Sequence, residues 1–209
     1  MNFPEHEPAY PLAKRIETKR LILRQFDMKD AAEYYDLEQQ GLAEHMAQFM
    51  PGEPDRSDRE DGIRSMREKI RTTLDRWDDG AEFRFVIREK GNSTIIGQIG
   101  ITNIIRNVAQ SAFIGYWIGA SWLGRGYATE SCAALLAYAF DTLRLHRISI
   151  WIAPDNAASL RVVEKLHLRF EGTALRALYQ GGKWADTNIY AITSEEWNER
   201  KNELQPFYL

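Results

Sequence analysis

The stretch SWLGRGYATES, Ser121–Ser131, joins an apolar run to a helix-like run through two glycines, an arginine and a threonine. Before it stands SAFIGYWIG, with the alternation of a strand. After it comes ATESCAALLAYAFDTL, apolar at helical spacing, and then RISIWIA, a second strand. Strand, turn, helix and strand predict a right-handed βαβ crossover, so the two strands lie parallel. The turn inside GRGYATE is the unusual part. Glycines let a backbone take conformations closed to other residues and approach a ligand closely. The first turn of a helix also presents N–H groups without intrahelical partners and the positive end of the helix dipole. Both suit phosphate oxygens.

Outward from this unit the periods alternate. RLILRQF (Arg20–Phe26) reads as a strand, and Asp27 caps a helix through AAEYYDLEQQ to Gly41. LAEHMAQF predicts a short second helix, ended by the PGEP loop. Ser57 and Glu60 form a capping box before a third helix. Its stripe is Ile63, Met66, Ile70, Leu74 and Trp77, and Asp79-Gly80 ends it. EFRFVIRE, TIIGQIGITNI and SAFIGYWIG follow as three antiparallel strands. Downstream of RISIWIA, NAASLRVVEKL is a helix. RFEGTALRALYQ and KWADTNIYAIT are strands joined by Gly181-Gly182, and Thr193 with Glu196 caps a final helix. The order β-α-α-α-β-β-β-α-β-α-β-β-α predicts an α+β fold: a mixed, mostly antiparallel twisted sheet with helices on both faces.

The 209 residues, 44% hydrophobic and 27% charged, fit one globular domain. No apolar run reaches the roughly 20 residues of a membrane span, and MNFPEHEPAYPLAKR lacks a signal-peptide core. One cysteine, Cys132, and four scattered histidines argue against disulfides and metal clusters. We therefore expect a cytoplasmic, metal-free protein. There is no direct nucleic-acid motif. The net charge of −3 is uneven: Asp27–Gly62 holds eleven acidic and three basic residues, a local −8, which leaves +5 elsewhere. Two solvated helix faces would explain this. So would one surface for a cationic partner and another for an anionic one.

Several readings of the glycine turn compete. A P-loop needs Gly-Lys-Ser/Thr, and no lysine follows here. A dinucleotide fold needs several βαβ units, whereas the preceding strands are antiparallel. An acetyl-CoA site needs one turn for one pyrophosphate. A helix start without any ligand is the fourth. The downstream sequence APDNAASLRVVEKLHLRFEG narrows the choice.

With TKRLILR, IGYWIG, WLGRGYATES, the N-x-x-S of Asn156–Ser159 and the W-x-D of Trp184–Asp186, the chain resembles the GNAT N-acetyltransferases. Within them it is most similar to the RimJ/RimL type, the ribosomal-protein N-terminal acetyltransferases. The likeness runs from Thr18 to Trp197. It implies one acetyltransferase domain over 1–209, with an extension at 1–17, the core at 18–197 and a tail at 198–209. It implies acetyl-CoA as co-substrate, no metal, and splayed strands forming the cleft. The backbones of Tyr116, Trp117 and Ile118 would pair with the pantetheine arm. The backbone of Leu123, Gly124, Arg125, Gly126, Tyr127 and Ala128 would cradle the pyrophosphate. Asn156 would hold the pantetheine amide region, and Ser159, Leu160 and Arg161 would flank the thiol end.

The resemblance also implies direct acyl transfer from thioester to amine. A backbone N–H near Ile118 would stabilise the oxyanion, and Ser159 would protonate the departing sulfur, unless it serves as a helix cap. The base stays open between Glu130, Asp186 and a water relay. Four positions depart from the family: Leu123 for a Gln or Arg, His167 for a helix-ending glycine, Val163 for a catalytic tyrosine, and Phe113 for a glutamate. The implied acceptor is a primary amine on a basic protein or peptide N-terminus, drawn to the acidic helices. A homodimer is a possible assembly. A small-molecule amine acetyltransferase (for a polyamine, an amino sugar or an antibiotic) and a non-catalytic acetyl-CoA binder stand as alternatives.

Overall fold

The computed structural model describes residues 12–41, 46, 49, 58–180 and 182–208. The described residues form an eight-stranded sheet in the order β1-β2-β3-β4-β5-β6-β8-β7. The strands are β1 (Arg15–Glu17), β2 (Leu21–Gln25), β3 (Phe83–Glu89), β4 (Ile95–Ile105), β5 (Ser111–Ile118), β6 (Arg147–Ile152), β7 (Arg169–Gln180) and β8 (Lys183–Thr193). Neighbours are antiparallel except β5 and β6, which run parallel. The helix between them, α3 (Tyr127–Ala137), is the expected crossover. The fold is thus the α+β mixed sheet that the periodicities predict.

Alternation along the strands divides the core. Phe85 and Ile87 of β3, with Ile114 and Ile118 of β5, face α3 and α4 (Ala157–Lys165). Val86 and Trp117 face the opposite way, against α1 (Ala31–Gly41) and α2 (Arg59–Asp78). The α2 stripe buries Ile63, Met66, Ile70 and Trp77. The apolar spacing of its sequence therefore marks the face that packs.

Some boundaries differ from the sequence reading. α2 starts from Asp58, whose side chain accepts the Glu60 N–H, so the cap is Asp58 rather than Ser57. The LAEHMAQF helix, the PGEP loop, Ser57 and Gly181 lie outside the described residues, apart from Met46 and Phe49. The sheet also reaches into 1–17: β1 pairs Ile16 with Leu23 at the edge. Three residues flanked by charges carry too little periodicity to be read as a strand. At the other end α5 (Ser194–Leu204) runs past Trp197, and Leu204 is buried. The α3 helix stops at Ala137 and continues as a π-helical turn, Tyr138–Thr142.

One glycine sets the position of the central strands. A Cβ on Gly97 of β4 would fall inside van der Waals contact of the Trp117 carbonyl oxygen on β5. Gly97 sits at a register shift against β3, opposite Ile87. Gly97→Ala must push β5 away, and overpacking of this kind costs about 1–3 kcal/mol. The expected result is a melting temperature lower by roughly 2–4 °C per kcal/mol for a chain of this size. Thermal unfolding checks it.

Candidate active site

The glycine turn is built from two left-handed residues. After a short 3-10 turn (Ala120–Trp122), Gly124 has φ +74° and Gly126 φ +79°. A Cβ on Gly124 would meet nothing within 4 Å. Glycine is needed there for its backbone angle, not for space. Gly126 is the N-cap of α3 and offers no side-chain cap. The first intrahelical bond runs from Glu130 N to Gly126 O at 3.1 Å. The N–H groups of Tyr127, Ala128 and Thr129 thus keep the outward role that a helix start gives them.

The back of the turn is clamped by Arg20, which sequence reasoning did not single out. Its Nη1 donates to the Arg125 carbonyl at 2.9 Å, and its guanidinium lies 4.8 Å from the Tyr127 ring centre. Its Nε donates to Glu130 Oε2 at 2.6 Å. Glu130 Oε1 also accepts from Thr18 Oγ1 at 2.6 Å and Arg20 N at 2.8 Å. Glu130 is buried. It therefore bolts the β1–β2 connection to the turn, and as a base candidate it is spent. The Arg125 side chain turns back on its own loop, donating to Ser121 O at 3.0 Å.

In front of the turn lies a cavity of about 120 Å³, lined by Leu123, Gly124, Gly126, Ala128, Arg161 and Lys165 among others. The two cations sit one helical turn apart on α4. Their i, i+4 spacing was the available signal for Lys165. A left-handed glycine pair, unpaired helix N–H groups and two nearby cations fit an anionic diphosphate.

The second feature is a gap in the sheet. β5 and β6 pair only from Ser111↔Arg147 to Phe113↔Ser149, then diverge. Gly119 N donates to Ile96 O at 2.9 Å. By antiparallel alternation, Gly115 and Trp117 bond toward β4, while Tyr116 and Ile118 turn their peptide groups toward β6. The gap holds a cavity of about 240 Å³, lined by Gln98, Tyr116, Trp117, Asn156, Ser159 and Thr187 among others. No Asp, Glu, His or Lys is among the described residues that line it. Gap and turn meet at α4, which contributes Asn156 and Ser159 to one cavity and Arg161 and Lys165 to the other.

Residues 20–169 match the acetyltransferase (GNAT) domain. The chain belongs to the GNAT acetyltransferase family. It is 30% identical over 181 residues to the probable N-acetyltransferase YjcK of Bacillus subtilis, covering 87% of this chain and 98% of that one. It is 28% identical over 186 residues to the [ribosomal protein uS5]-alanine N-acetyltransferase of Escherichia coli, covering 88% and 92%. The solved structure of Mycobacterium smegmatis RimJ in complex with CoA-disulfide superposes with a TM-score of 0.81 at 28% identity, covering 91% of each chain.

In this acetyltransferase the remaining expected residues fall as follows. Asn156 caps α4, its Oδ1 accepting from Ser159 N at 3.1 Å. The capping oxygen is thus Asn156's own, and its amide N–H groups remain for a ligand. The Ser159 hydroxyl is not the cap. Leu160 packs against the main core rather than lining either cavity. The Trp117 side chain is buried against Tyr34, with ring centres 5.7 Å apart. Asp186 Oδ1 accepts the Arg176 N–H at 2.8 Å, across an irregular stretch of the β7–β8 hairpin, so it orders the hairpin.

Neither Val163 nor Phe113 supplies an acid or a base. Val163 is fully buried. Phe113 meets Trp151 edge-on at 5.1 Å. His167 takes the left-handed angle, φ +54°. Around it His167 N bonds Glu164 O and Leu168 N bonds Val163 O, a Schellman closure of α4.

The acidic region is less negative in space than along the chain. Asp30 pairs with Arg24 at 2.6 Å and Arg88 at 3.2 Å, Glu33 with Arg88 at 3.0 Å, and Asp36 with Arg59 at 2.6 Å. Asp61 pairs with Arg64, and Glu38 with Lys69 at 3.7 Å. Most of these partners lie on α2 and β3, beyond the counted window. Among the described residues no cluster of His, Cys, Asp or Glu could hold a metal ion, and no helix is long and apolar enough to cross a membrane.

Proposed function

We propose that this acetyltransferase takes acetyl-CoA across the glycine turn and the β5–β6 gap and acetylates the α-amine of a protein or peptide. The diphosphate would lie on the N–H groups of the turn, near Arg161 and Lys165. The pantetheine arm would follow β5 much as an added strand pairs with a sheet edge. The family resemblance implies a backbone N–H near Ile118 as the donor for the developing oxyanion. The Ser159 hydroxyl would protonate the departing sulfur.

The observation that carries the acceptor assignment is the absence of a carboxylate or imidazole among the described residues lining the gap. Glu130 and Asp186 are both held in structural bonds. An alkyl amine has a reference pKa of about 10.4 and an α-amine about 7.7–8.0. The difference of about 2.5 units is about 3.4 kcal/mol of deprotonation that a base must help supply. A site with only water as base favours the α-amine. The relative that acetylates an alanine of ribosomal protein uS5 points to the same acceptor class. A ribosomal or similarly basic substrate would place the enzyme in the cytoplasm.

Two basic peptides of one sequence test this, one with a free N-terminus and blocked lysines, one N-acetylated with free lysines. Mass spectrometry should find acetylation only on the first. Acetylation confined to the second, or seen only with a polyamine, would remove the α-amine reading.

A further inference from the structure

The Tyr116 ring leaves β5 on the α3–α4 side of the sheet and packs against the main core. Its hydroxyl is buried and has no hydrogen-bond partner. Ser159 is the side chain nearest to giving it one, at the start of α4, but the pair falls outside hydrogen-bond geometry. Thr187 Oγ1, on β8, is likewise buried and unpartnered. Tyr116, Ser159 and Thr187 all line the gap between β5 and β6. A buried hydroxyl without a partner lowers stability, and a phenylalanine would fill the same space without that penalty. Thr187 lies on the other face of β8 from Asn188, the partner of Ile152, so the Tyr116 hydroxyl is the one on the α3–α4 side, where a ligand would supply the missing partner.

We infer that the Tyr116 hydroxyl is a second catalytic donor, hydrogen-bonding the thioester sulfur beside Ser159. This rests on the acetyl-CoA reading of the gap. The proton balance is simple. The amine nitrogen bonds the acyl carbon and sheds one proton to water, while the carbon–sulfur bond breaks. The sulfur takes its proton through Ser159, which water restores, while Tyr116 keeps its own proton and only hydrogen-bonds the departing sulfur. Burial pushes the Tyr116 phenol well above its ordinary range, the direct effect of removing a phenolate from water. The hydroxyl is therefore suited to donate a hydrogen bond and to keep its proton. That agrees with the absence of carboxylates among the described residues of the gap, where hydrogen bonds to a developing thiolate are an available stabilisation.

Tyr116→Phe tests the assignment, because it keeps the ring and removes an oxygen that bonds nothing in the protein. Three quantities are read: the melting temperature, the thiol pKa of bound CoA from its thiolate ultraviolet absorbance, and the single-turnover rate with saturating amine. The melting temperature should hold or rise, and CoA affinity should stay within about twofold. The bound thiol pKa should rise by about one unit as a donor is lost. The single-turnover rate should fall at least ~10-fold, as when one preorganised donor to developing charge is removed. An unchanged thiol pKa with an unchanged rate would overturn the role. So would a slower rate that merely follows a lower melting temperature or weaker CoA binding. If the wild-type protein binds CoA and transfers acetyl groups but Tyr116→Phe equals it, this inference alone fails. If the wild-type protein does not bind CoA, the acetyl-CoA reading fails with it.

Discussion

CoA should stabilise the wild-type protein against heat and leave Gly126→Glu unprotected. A ligand at one hundred times its Kd stabilises a fold by about 2.7 kcal/mol. For a chain of this length that is roughly 5–10 °C. A Cβ at Gly126 lies 3.5 Å from Arg20 Nη2, so the new carboxylate would stand between Arg20 and the start of α3 and place negative charge beside the proposed diphosphate site. Gly126 has φ +79°, so any side chain there adds about 1–2 kcal/mol of backbone strain. The unliganded mutant should therefore melt a few degrees lower. Gly126→Ala carries the same strain without the charge and separates the two effects. It should keep a measurable part of the CoA shift. An equal CoA shift in wild type and Gly126→Glu would show that the turn is not the site.

Ser159→Ala should slow the chemical step by on the order of 10²–10⁴-fold, with acetyl-CoA affinity nearly unchanged. The structure makes this variant cleaner than the sequence suggests. The cap of α4 is the Asn156 side chain, bonded to the backbone N–H of residue 159, and alanine keeps that N–H. The melting temperature should barely move. Asn156→Ala, by contrast, should cost about 1 kcal/mol of stability through the lost cap. Single-turnover kinetics and thermal unfolding on both variants decide between catalysis and capping. A Ser159→Ala protein with wild-type turnover and a lower melting temperature would end the catalytic assignment.

The parts of this fold that repeat a pattern were readable from the chain. The crossover around SWLGRGYATES, the α2 stripe and the two-residue periods of β3 and β5 each state their own geometry. The left-handed glycine turn and the left-handed His167 follow from local rules about backbone angles. What the chain conceals is long-range pairing. Nothing near Arg20 announces that it reaches Arg125 and Glu130, 105 and 110 positions away. Glu130 therefore reads as a catalytic candidate until its three bonds are visible. The charge of the Asp27–Gly62 window misleads for the same reason: its counter-ions Arg24, Arg88, Arg64 and Lys69 lie outside it. Orphaned hydroxyls such as Tyr116 Oη depend on packing, and no sequence spacing reveals them.

The most direct measurement is amide-resolved hydrogen exchange of the wild-type protein with and without CoA. Binding across the turn and the gap should slow exchange at Gly126, Tyr127, Ala128 and Thr129, and at Tyr116 on β5, because these amides lie along the proposed site. Exchange unchanged at the turn, or slowed only along α1 and α2, would contradict the account.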